Sequence, residues 1–142
     1  MNVGNIWFYI DPQIATVSKQ LYLDGHYDKA VLAAFIEIEE VVKKFYKSIK
    51  VGADDELNGA KLMNKVFSEN NPILKAGDLE TETGKNKHNG LRYMLFGAMS
   101  ALRNPTAHSN DENLTAEEAM KQLMFASMLM EKIYDSVKNG HN

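Results

Sequence analysis

Apolar residues recur along most of the chain at intervals of three and four, the spacing of a helix that buries one face. The longest run lies between Tyr27 and Lys50, where Val31, Phe35, Ile38, Val42, Phe45 and Ile49 follow a 4-3-4-3-4 rhythm. Glu39, Glu40, Lys43, Lys44 and Lys47 cover much of the remainder, and Glu39 to Lys43 and Glu40 to Lys44 form i,i+4 pairs that predict a solvated charged face. Before this helix, Asp11-Pro12 reads as an N-cap with proline at the first helical position. Ile14, Val17 and Leu21 then continue to a stop at Asp24-Gly25. Ile6 to Ile10 is too short and too apolar for an amphipathic helix, so it predicts an extended arm or a lid packed over the helices.

Val51-Gly52 ends the second helix. A short third one follows Asn58-Gly59, with Leu62, Met63, Val66 and Phe67 inward, and Asn70-Asn71-Pro72 breaks it. Residues 75–89 are polar and without period, which predicts one long loop. A fourth helix is expected from about Asn89 to Arg103, with Leu91, Leu95, Ala98 and Leu102 inward. A capping box, Thr115 with Glu118, opens a fifth that runs to about Lys138. Its seam is Ala119, Leu123, Ala126, Met130, Ile133 and Val137. Met120, Met124 and Met128 add a second apolar row, which reads as a surface for self-association in preference to extra core.

Composition narrows the possibilities. The 142 residues suit one domain, 1–142, without an internal repeat. No apolar run approaches the roughly 18 residues of a membrane span, and the first basic residue is Lys19, so neither a membrane segment nor a secretory leader is expected and the cytoplasm is the expected location. Zero cysteines exclude disulfides, thiolate zinc sites and cysteine nucleophiles, and four scattered histidines give no metal-binding spacing. No phosphate loop, GxSxG elbow or HExxH pair is present. The sequence therefore calls for no cofactor and no metal. His26 at a helix start reads as structural, and His141 lies in the terminal tail.

The net charge of −3 argues against a protein that coats nucleic acid non-specifically, yet it is unevenly spread. The 28 residues between Glu82 and Asp111 contain no acid, where roughly four would be expected, and carry +4, leaving −7 on the rest. Both arginines, Arg92 and Arg103, fall in this window with Lys85, Lys87, His88 and His108. Within it lies Arg103-Asn104-Pro105-Thr106-Ala107-His108. On an uninterrupted helix Arg103 and His108 would point about 140° apart. Pro105 must kink or end the helix, which can swing His108 toward the side that Arg103 faces. A guanidinium that stays charged and an imidazole that titrates near neutrality suit a phosphodiester and its protons. Spacing alone leaves open a second reading, in which Arg103 caps helix carbonyls and His108 packs beneath the loop.

The blocks GLRYMLFGAMSALRNPTAH, Gly90 to His108, and LYLDGHYDKAV, Leu21 to Val31, closely resemble the Ymh-type conserved hypothetical family, which in turn resembles the HEPN superfamily of helical domains. The resemblance covers the chain from Asp11 to the fifth helix. Arg103, Asn104 and His108 match the Arg-polar-x3-His signature of that superfamily. It implies an all-α, HEPN-like bundle of about five helices with a short N-terminal extended arm. It also implies a homodimer that brings two motifs together and, in active members, a metal-independent endoribonuclease of toxin–antitoxin or abortive-infection defence. RNA is then the substrate, and a separate antitoxin or nucleotidyltransferase the expected partner. Some HEPN domains only bind, so a non-catalytic module for a nucleotide or a protein is the alternative. Arg103, Asn104 and His108 are the expected catalytic residues, and Arg92, Lys85, Lys87 and His88 the expected RNA contacts. On the second helix the Glu40/Lys44 pair resembles the acidic–basic pair of many HEPN domains, with Glu37, Glu39 and Glu40 all open as the acid.

Overall fold

A computed structural model describes residues 3–54, 56–103 and 113–138. Among them the chain is all-helical: a 3-10 helix Val3–Tyr9, then α1 Pro12–Leu23, α2 Tyr27–Ile49, α3 Gly59–Val66, α4 Glu82–Ala98, a π turn Met99–Arg103 and α5 Ala116–Lys138. The arm before α1 is thus wound rather than fully extended. A 3-10 turn aligns residues three apart, so Trp7 and Ile10 both face inward while Phe8 and Tyr9 stay exposed. The Ile10 N–H donates to the Trp7 carbonyl, and the Trp7 ring meets Tyr22 edge-on at 5.4 Å.

Helix ends follow their local chemistry. The Asp11 carboxylate accepts from the Gln13 and Ile14 N–H groups at 2.9 and 3.4 Å, a cap worth about 1 kcal/mol. Thr115 and Glu118 make both bonds of the capping box, at 3.1 and 2.9 Å. α1 is tied to α5 three times. The Asp11 N–H donates to Ser127 Oγ, the Tyr22 hydroxyl to the Ala116 carbonyl and the Tyr134 hydroxyl to Gln13 Oε1.

α2 and α5 carry most of the core. Val31, Phe35, Ile38 and Val42 are fully or almost fully buried, joined by Ala30, Ala34 and Val41, while Phe45 and Ile49 pack at its margin. On α5 part of the second row packs into the core. Met120 is buried and Met124 half-buried, leaving only Met128 of that row exposed, and Leu129 is fully buried. The physical reason is position: α5 packs against α1, α2 and α4, so one apolar stripe cannot cover its contacts. That burial withdraws Met120 and part of Met124 from the expected self-association surface and leaves Met128 exposed.

The expected long loop is shorter than its polarity suggested, because α4 begins at Glu82 and not near Asn89. Thr81 Oγ1 accepts the Gly84 N–H at 3.0 Å to cap it. Its first two turns turn only Gly84 and His88 inward, and neither registers as an apolar stripe. Gly84 is there because segment 76–81 lies directly against it: a Cβ at Gly84 would fall on the Asp78 carbonyl.

Candidate functional site

The site expected at Arg103 sits where α4 loses its α geometry. The break comes earlier than Pro105 would place it, at the π turn Met99–Arg103. A π turn bonds i to i+5 and so fits an extra residue into the turn, rotating the downstream residues by up to about 100° relative to a continued α-helix. Arg92 and Arg103, which an unbroken helix would align within about 20°, are thereby separated. Arg92 is half-buried on α4, its Nη2 donating to Asn89 Oδ1 at 3.3 Å and its guanidinium lying 4.5 Å from the Tyr93 ring centroid. Arg103 is turned toward α2.

There it meets Glu39. Arg103 Nη2 donates to Glu39 Oε1 at 3.2 Å, with side-chain exposures of 22% and 3%. The other carboxylate oxygen, Oε2, accepts the Gly59 N–H at 2.7 Å. One buried carboxylate thus joins the π turn to the first residue of α3. Gly59 has φ +56, a backbone that side-chain-bearing residues rarely adopt. That conformation belongs to the residue whose N–H meets the acid.

Of the three acids left open on the second helix, Glu39 is the one at the site. Glu37 is half-buried and Glu40 exposed, as is Lys44. Glu39 does not form the expected surface pair with Lys43, whose Nζ instead donates to Asn58 Oδ1. A signal for Glu39 was present in the sequence: it lies four residues after Phe35 and three before Val42, on the edge of the buried stripe.

Glu39, Asn58, Gly59, Ala60, Met99, Ser100 and Arg103 line an open pocket of about 290 Å³. Arg103 Nε is enclosed and has no hydrogen-bond partner among the described residues. A fixed guanidinium on such a pocket can hold an anion, and the carboxylate behind it fixes its direction while offsetting part of its charge. Asn104 and His108 lie outside the described residues.

The remaining expected RNA contacts separate. Lys85 and Lys87 are exposed on α4. His88 is not at the surface: it is fully buried, its Nδ1 accepting the Ala76 N–H at 3.1 Å and its Nε2 lying 2.7 Å from the Ser68 carbonyl. Both ring nitrogens are spent on pinning the α3–α4 connection to α4, so His88 has a structural role and is not an RNA contact. No cluster of three or more His, Asp or Glu that could hold a metal occurs among the described residues, and none of their helices is long and apolar enough to cross a membrane.

A family model described as a protein of unknown function (Hypoth_ymh) matches residues 9–133. The chain belongs to the Ymh family. The match takes in α1 through most of α5, and with them both halves of the Glu39–Arg103 pair and the whole of the RNPTAH segment. No curated protein and no solved structure matches this Ymh chain.

Proposed function

We propose that this Ymh chain is a HEPN-like, metal-independent endoribonuclease of toxin–antitoxin or abortive-infection defence, acting in the cytoplasm as a homodimer. The observation that carries the reading is Arg103, held by buried Glu39 at an open pocket immediately before Asn104 and His108. In this reading the 2′-OH of the RNA attacks the adjacent phosphorus while one His108 takes its proton. A second His108, from the other protomer, protonates the departing 5′ oxygen. Arg103 stabilises charge on the pentavalent phosphorus and Asn104 positions one of its oxygens. The products are a 2′,3′-cyclic phosphate and a 5′-hydroxyl, and DNA is inert because it lacks the nucleophile. Lys85, Lys87 and Arg92 attract neighbouring phosphates, and a separate antitoxin or nucleotidyltransferase supplies control.

The test is incubation of purified protein with single-stranded RNA in EDTA. Cleavage is expected, leaving cyclic phosphate ends, and is lost in His108→Ala by a factor on the order of a hundred or more. A clean preparation that cuts no RNA tested overturns the assignment. The alternative, a non-catalytic module that binds a nucleotide or a partner protein, draws on the charge sharing between Arg103 and Glu39, which suits holding an anion as well as transforming one. It predicts that Arg103→Ala weakens ligand retention while no substrate is consumed.

A further inference from the structure

The outer face of α4 carries two aromatic side chains that the core does not use. Tyr93 is 64% exposed and Phe96 43%, one turn apart, and the Arg92 guanidinium lies against the Tyr93 ring. Phe96 leads directly to the pocket, since Ser100, one turn further on, donates through its hydroxyl to the Phe96 carbonyl and also lines the Arg103 cavity. From Lys85 to Ser100 this face extends about 22 Å.

Its electrostatics say what covers it. Along it lie Lys85, Arg92 and, at the pocket end, Arg103 with its partner Glu39, and Glu82 in the first turn of α4 is the one acid of that helix. Lys87 is on the opposite side of α4, lining cavities with Glu80 and Asp135. A second copy of the same face would bring cations against cations with almost no carboxylate to receive them. A polyanion with flat, unstacked bases is complementary on both counts: phosphates meet the cations, and bases meet the rings.

We infer that the exposed face of α4 is a track for single-stranded RNA, with Tyr93 and Phe96 stacking on successive bases and Arg92 holding the phosphate between them, leading the strand into the Arg103 pocket. The inference rests on the ribonuclease reading for the direction of the strand, but its binding step stands apart from the chemistry. Double-stranded RNA is rejected, because its bases are already stacked on one another and cannot reach the rings.

The experiment uses a short fluorescein-labelled 2′-O-methyl oligouridine, which cannot be cleaved, so binding is read without catalysis. Wild-type protein is expected to bind it, and Tyr93→Ala and Phe96→Ala each to weaken binding by roughly 5- to 100-fold. Tyr93→Phe, which keeps the ring, retains binding, and light scattering shows the same oligomeric state for every variant. In the wild-type protein, photocrosslinking of 5-iodouridine-substituted RNA labels the α4 peptide, an outcome that does not depend on any variant folding. Failure of wild-type protein to bind, wild-type affinity in both alanine variants, or crosslinks confined to other helices overturns the track. Loss of binding that accompanies a change from dimer to monomer overturns it equally and assigns the face to a second copy. Intact, ring-dependent binding in a protein that cuts no RNA refutes the nuclease reading alone and leaves the track standing.

Discussion

The α1–α5 side of the molecule and the α3–α4 side are built on different terms. Along α1 and α5 the polar side chains are spent on structure: Asp11, Thr115 and Glu118 cap helices, and Ser127, Tyr22 and Tyr134 cross-link the two. The α3–α4 side is the more cationic of the two. Tyr93 and Phe96 face solvent on a helix whose stretch from Thr83 to Arg103 holds four cations and no acid, with Glu39 of α2 answering Arg103. A region whose side chains cross-link its helices stabilises the fold, whereas one that concentrates cations beside exposed rings is suited to hold something else.

The largest test of this contrast is at the core both sides share. Phe35, fully buried on α2 beside Phe125, is expected to cost about 3–5 kcal/mol as Phe35→Ala in urea denaturation. A loss below about 1 kcal/mol would mean that α2 is not the common core. Next comes the Glu39–Arg103 pair. A double-mutant cycle with Glu39→Ala and Arg103→Ala should give a coupling of about 1–3 kcal/mol, since either single change leaves the other charge poorly matched. Additive effects would detach the π turn from α2.

Smaller effects belong to the α1–α5 side. Asp11→Ala and Ser127→Ala should each cost about 1 kcal/mol, and neither should change RNA affinity. A shift in affinity with either would blur the division between the two sides. The smallest effect is alkaline. Burial raises the Tyr22 phenol above its ordinary value, with Tyr27 adding to the shift. The proton is therefore held more tightly in the fold than in the unfolded chain. The stabilising contribution is complete below about pH 10 and is lost as pH rises through the raised value. Tyr22→Phe should flatten this part of a thermal-stability profile, and an unchanged profile would remove Tyr22 as its source.

What could be read directly from the chain was local. Asp11-Pro12, Thr115 with Glu118, and Asp24-Gly25 each name a helix boundary because capping bonds lie within a few residues of one another. The α4 start was hidden by the same logic, since its inward positions are a glycine and a histidine. Glu39 was visible as a charge on the edge of an apolar stripe, but nothing nearby in sequence says that its partner is 64 residues away.

The amino-acid order by itself determined most of the helices, their main apolar seams and the acid-free window around both arginines, because those depend on neighbours three or four residues apart. Only the tertiary structure decided that Met120 and Met124 of α5 pack on the core, that His88 is a buried strut, and that Arg103 turns to Glu39. Each of those depends on which helices come together, and on one extra residue in a turn, and no periodicity in the chain encodes either.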